Sequence, residues 1–175
     1  MRAALERLWS RLRHGTEGTS ALEFGLVALP FFSLLLAIFE TAAVFFASCT
    51  LENGVHDAAR MIRTGQVQQG NVSATDFKNL ICNKIQPLLA CDSNLIVDVR
   101  SFPDFQSVNS PPPLDSNKNF QITPAFTPGN AGDIALVRVF YTWHIVTPLI
   151  GATLANMGGN VHLIATAAVF RNEPF

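Results

Sequence analysis

Two carboxylates, Glu23 and Glu40, stand in the most apolar part of this 175-residue chain. A charged group in hydrocarbon is costly, and where one occurs inside a membrane segment it is a functional candidate by default. Glu23 follows Gly18 by five positions and opens a run from Phe24 to Leu51 whose one charge is Glu40. One reading of Glu23 is pairing between subunits. If the chain is cut after Gly18, Thr19 carries a positive amine, and a carboxylate at the fifth position of the cut chain neutralises the amine of a neighbouring subunit. Within a low-dielectric helix bundle such pairing recovers part of the desolvation cost, whereas losing one partner leaves a buried lone charge. The other reading is an acid resting among headgroups at the membrane edge. Spacing alone favours neither. Glu40 lies about 26 Å further along a straight helix, near the opposite membrane edge, where it meets water or headgroups. The alternative for Glu40 is pairing with a partner helix.

The remaining reactive residues form no catalytic set. His56, His144 and His162 are scattered, with no H-x-x-x-H or C-x-x-C spacing for a metal. There is no G-x-S-x-G elbow, phosphate-binding loop or dinucleotide fingerprint. His56 and Asp57 are adjacent, and adjacent residues on a helix face apart, so they make no dyad. The expectation is a protein that is not an enzyme and has no cofactor. A net charge of -1 leaves no basic stripe for nucleic acid. Asn71 to Ser73, NVS, formally matches a glycosylation acceptor, which short sequons do by chance. Cys82 and Cys91 bracket eight residues. Either they form a disulfide, as an oxidising compartment permits, or they are two buried free thiols. The topology derived next favours the disulfide. Cys49 is read as a small helix-packing residue.

The elements that position these residues begin with a basic arm, residues 1–18. Leu5, Leu8, Trp9 and Leu12 recur there at helical spacing between Arg2, Arg7, Arg11 and Arg13, as in a short amphipathic helix on an anionic membrane face. The apolar run that follows is roughly 40 Å long as a helix, more than the ~30 Å hydrocarbon core. Arginines before the run put the N-terminus in the cytoplasm and everything after about residue 50 outside. A cleaved secretory signal fits poorly, since the run is too long and FFASCT is a poor cleavage end.

Helical character outlasts the apolar run. Leu51, Val55, Ala58, Ala59 and Ile62 form one stripe, and Gly65 is a stop. One long helix from near Ser20 to Thr64 is expected, weakened at Gly54 and at Pro30, which removes a backbone hydrogen bond. Ser73 with Asp76 resembles a capping box, and Phe77, Leu80, Ile81, Ile85 and Leu88 then recur at helix spacing until Pro87. Segments 94–102, 134–146 and 160–170 alternate as strands, separated by a Pro-, Ser- and Asn-rich loop over 103–133. The tail RNEPF closes the chain. The expected class is α+β: a transmembrane helix continuing into a small extracytoplasmic domain with a short helix and a small antiparallel sheet. The expected division is a basic arm over 1–18, a transmembrane helix over 19–51 and the outer domain over 52–175.

The order basic arm, G-x-x-x-x-E, apolar helix resembles the type IV prepilin processing signal. More narrowly, residues 21–66 resemble the TadE/TadG-like proteins of the tight-adherence (Flp pilus) machinery. The matching features are Glu23, Pro30, Ala58-Ala59-Arg60 and RTGQ at Arg63 to Gln66. The cysteine pair, the VRVFY strand, TPL at Thr147 to Leu149 and FRNEP near the end also look like TadE, and the length favours TadE over the longer TadG. Flp-type signals often carry Tyr after the glutamate. Phe24 keeps the ring without the hydroxyl.

The resemblance implies a minor pilin or pseudopilin in the inner membrane, cut between Gly18 and Thr19 by a prepilin peptidase and needed for Flp pilus assembly. The implied partners are that peptidase, other pilin-like subunits and the Tad inner-membrane platform and ATPase. Two rivals come from other classes. One is an uncleaved, single-pass scaffold or ligand-binding envelope domain unrelated to pili. The other is a membrane-bound hydrolase, which requires a nucleophile and base that the sequence does not cluster.

Overall fold

A computed structural model of the chain describes residues 19–86, 89–91, 93–147 and 150–175. The basic arm with its arginines, Gly18, Pro87, Leu88, Pro148 and Leu149 lie outside the described residues. The class is α+β: a long apolar N-terminal helix, then a small domain with a three-stranded antiparallel sheet.

Helix α1, Thr19–Arg63, is helical throughout, including at Pro30. It contributes to two compact units, one up to Phe39 and one from Glu40 to Phe175. In the first, the apolar side chains face outward: Phe24 is 70% exposed and Leu29 71%. A helix with apolar side chains exposed all round is suited to lipid or to partner helices, and α1 is long and apolar enough to cross a membrane.

In the second unit the predicted stripe is the core. Leu51, Val55, Ala58, Ala59 and Ile62 are all buried. The helix stops where glycine allows it. Gly65 takes φ +77, and its N–H donates to the Ile62 carbonyl at 3.0 Å, a helix end that a left-handed glycine makes possible. A one-turn helix α2, Gln66–Gln69, follows.

Helix α3, Ala74–Ile85, begins at Ser73, whose Oγ accepts the Asp76 N–H at 3.1 Å. That hydrogen bond is the N-cap expected from the sequence. Its buried residues, Phe77, Ile81, Cys82 and Ile85, share one face. Gly54 lets α3 approach α1 closely, since a Cβ there would lie 2.9 Å from Ile85 Cγ2. A disulfide joins Cys82 in the last turns of α3 to Cys91, just before the first strand.

Strands β1 (Leu95–Phe102), β2 (Ile134–His144) and β3 (Val161–Arg171) pair antiparallel in that order, with unbroken register from Leu95↔Tyr141 and from Ile134↔Arg171. One sheet face, with Val99, Val137, Val139 and Ile164, joins the helices in the main core. On the other face Phe140 and Leu163 pack with Ile122 and Phe120 from the connection between β1 and β2. A one-turn helix α4, Gly151–Leu154, lies between β2 and β3.

The tail is more than a loose end. Asn172 is buried, Glu173 N–H donates to the Arg63 carbonyl at 2.8 Å, and the Phe175 ring lies over Gly65. A short polar stretch carries no periodicity to signal such docking.

Candidate functional site

The residues singled out by sequence fall into separate places. Thr19 is the first described residue and begins α1, while Gly18 lies outside the described residues. Glu23 and Phe24 lie one turn further on, both exposed, and Pro30 is exposed as well. Among the described residues Glu23 has no hydrogen-bond or ion-pair partner. It is a lone carboxylate on an apolar helix surface, the condition in which an outside cation would be most effective.

Glu40 differs from its sequence reading. Its carboxylate is buried in its own chain rather than left to water or headgroups. Oε1 accepts the Val146 N–H and Oε2 the Thr147 N–H, each at 2.6 Å. Both donors come from the segment just after β2, where strand pairing has ended and backbone N–H groups need new acceptors. A carboxylate offers two oxygens to two adjacent N–H groups, a charge-assisted arrangement stronger than a neutral one. Glu40 thus fastens α1 to the exit of β2. Sequence spacing gave no sign of this, because the two partners are 106 and 107 positions away.

A second polar cluster organises the loop side of the sheet. Asp98 is fully buried, and Arg138 nearly so. Asp98 Oδ2 accepts from Arg138 Nε at 3.0 Å and Nη2 at 2.6 Å, and Oδ1 accepts from Arg100 Nε at 3.0 Å and from the Ala125 N–H at 2.9 Å. The outer guanidinium donors reach the Pro111 and Thr123 carbonyls. Five donors in a fixed fork suit arginine for gathering carbonyls around one acid. The cluster therefore pins the long connection between β1 and β2 to the sheet. Alternation puts Asp98 and Arg138 each on one face of its own strand, but it does not say which strands pair or in what register.

The histidines do not converge. His56 Nε2 lies 3.7 Å from Glu52 Oε1, and His162 Nδ1 lies 2.5 Å from the Leu154 carbonyl. Among the described residues no three His, Cys, Asp or Glu side chains group as a metal site would require. Cys49 is a half-buried free thiol in α1.

No curated protein and no solved structure matches the chain. The family model that does match covers residues 18–60, from the position before α1 to Arg60 in its last turn. That segment holds Glu23, Phe24, Pro30, Glu40 and Ala58-Ala59-Arg60, and over it the chain is similar to the TadE-like protein family.

Proposed function

We propose that this chain is a minor pilin or pseudopilin-like component needed to assemble Flp (tight-adherence) pili, and that it is not an enzyme. The observation that carries the reading is the match of residues 18–60 to the TadE-like family, laid over a helix whose apolar side chains are exposed. The chain is inserted once in the inner membrane, with its N-terminus cytoplasmic and the domain after α1 outside, as the arginines before the apolar run favour. A prepilin peptidase cuts between Gly18 and Thr19. Glu23 then meets the new amine of a neighbouring pilin-like subunit, while Phe24 and Pro30 shape the packing surface around it. The Tad platform and ATPase are the machinery it works with.

N-terminal sequencing of the membrane-extracted protein tests the cut. A start at Thr19 in cells holding the peptidase, and at Met1 in cells lacking it, is expected. An intact arm in both overturns the cleavage. Glu23→Ala should abolish or strongly impair piliation in a null background while membrane insertion is unchanged, because a buried amine without its carboxylate is strongly destabilising. Normal piliation by that variant removes the pairing role.

A further inference from the structure

The two edges of the sheet are treated differently. On β1 the outward edge is interrupted at its middle: Val99 N–H donates to the Ala125 carbonyl at 2.8 Å, and its carbonyl accepts the Thr127 N–H at 2.9 Å. On β3 the outward groups are those of the odd-numbered residues. Val161 O accepts from Met157, Leu163 exchanges hydrogen bonds with the Asn156 side chain, and Glu173 N–H reaches Arg63. The register is unbroken between those ends, so Ala165, Ala167 and Val169 also turn their N–H and C=O groups away from β2. Among the described residues nothing pairs with those groups. An edge closed at both ends and open in the middle has the length of a short added strand, and an unprotected edge of this kind is a template for one.

The flank of the open stretch is cationic. His56, Arg60 and Arg63 recur on one face of α1 and, with Ala59, line a groove against Ala167–Phe170. Arg63 is paired with Glu173 at 3.2 Å and His56 lies near Glu52, but Arg60 has no ion-pair partner among the described residues. Small side chains, Ala59, Ala165 and Ala167, leave the backbone approachable. A second copy added edge to edge would bring another Arg60 and Arg171 to the same seam, where like charges oppose pairing.

We propose that the open stretch of β3 takes an extended acidic segment of another protein as a fourth strand, with a carboxylate of that segment meeting Arg60. The inference stands independently of the pilus reading. The probe is a labelled nonapeptide alternating Val and Glu, compared with its Val–Lys counterpart, added to the full chain in detergent micelles. The Glu peptide should bind, and should slow amide exchange at Ala165, Ala167 and Val169. The Lys peptide should bind about tenfold or more weakly, the scale of one charge-assisted hydrogen bond. Arg60→Glu should reverse the preference. Ala167→Pro should abolish binding, since it removes an outward N–H that no strand of this chain uses. Should Ala167→Pro fail to fold, Arg60→Glu still decides, being exposed on the helix. Equal binding of the two peptides, or unchanged exchange at the three β3 amides, overturns the proposal. So does a dimer seen by sedimentation that the Glu peptide cannot displace and Ala167→Pro dissolves.

Discussion

Asp98 and Arg138 face each other across β1 and β2, paired in register, with an oxygen–nitrogen distance of 2.6 Å and both side chains buried. Neither charge has water to fall back on. Replacing the pair by well-packed apolar residues can be tolerated, but removing one partner leaves the other buried and uncompensated, at about 3–5 kcal/mol. Asp98→Ala should therefore lower the urea midpoint of the outer domain severely. Lys at position 138 should not substitute fully, because a single ammonium cannot reach Asp98 by two donors and the Pro111 carbonyl as well. A chevron or equilibrium melt of the detergent-solubilised chain measures both.

Glu40 presents a different dependence, on two backbone N–H groups rather than on a cation. Glu40→Gln keeps one acceptor oxygen and places an amide donor against the second N–H. Glu40→Ala removes both acceptors. Amide exchange at Val146 and Thr147 should speed up in both variants, and more in the second. The expected stability loss is about 1.5–3 kcal/mol per charged hydrogen bond lost. Unchanged exchange at the two amides would mean that other groups already satisfy them.

What the sequence made legible was what is periodic or local. The 3.6-residue stripe from Leu51 to Ile62, the Ser73 cap, the Gly65 stop and the alternating strands all follow from short-range rules, and α1 and the sheet lie where those rules put them. Contacts between residues far apart in sequence were out of reach. Glu40 with Val146, Asp98 with Arg138, and the tail against the end of α1 each depend on which surfaces tertiary packing brings together. An isolated charge in an apolar run signals that some partner is needed, but not whether that partner belongs to the same chain. Glu23 and Glu40 look alike in sequence, and the structure separates them: one exposed and without a partner among the described residues, the other buried and bonded.

The Cys82–Cys91 disulfide closes a ring of nine-residue separation between α3 and β1. In the chain-entropy account a ring of that size stabilises by about 2–3 kcal/mol through the unfolded state. Cys82→Ala with Cys91→Ala should lower the denaturation midpoint by a corresponding amount and leave the sheet intact, since β1 is held to β2 by eight register positions. Reductant should shift the wild-type midpoint in the same direction and leave the double variant unmoved. A wild-type midpoint indifferent to reductant would show that the bond contributes nothing.

Asp115 gives the outer domain an acid-sensitive turn. Its Oδ1 accepts the Asn119 and Asn117 N–H groups, each at 2.8 Å, and Lys118 closes the turn with φ +63. These bonds, the Asn119 N–H foremost, favour the charged carboxylate and hold it below the usual carboxylate range. A depressed folded-state pKa contributes stability that is complete above the unfolded value and is lost as pH falls through the folded one. The protection of the Asn117 and Asn119 amides, measured against their intrinsic exchange rates at each pH, should therefore fall only on acidification, with a midpoint below that of aspartate in an unstructured peptide. In Asp115→Asn the same amides should show no such step, because the neutral side chain binds no proton in this range. A wild-type midpoint at or above the peptide value would mean that the N–H groups do not hold the charge, and the turn would then owe its shape to its backbone hydrogen bonds, Asp115 N–H to Asn119 and Lys118 N–H to Asp115.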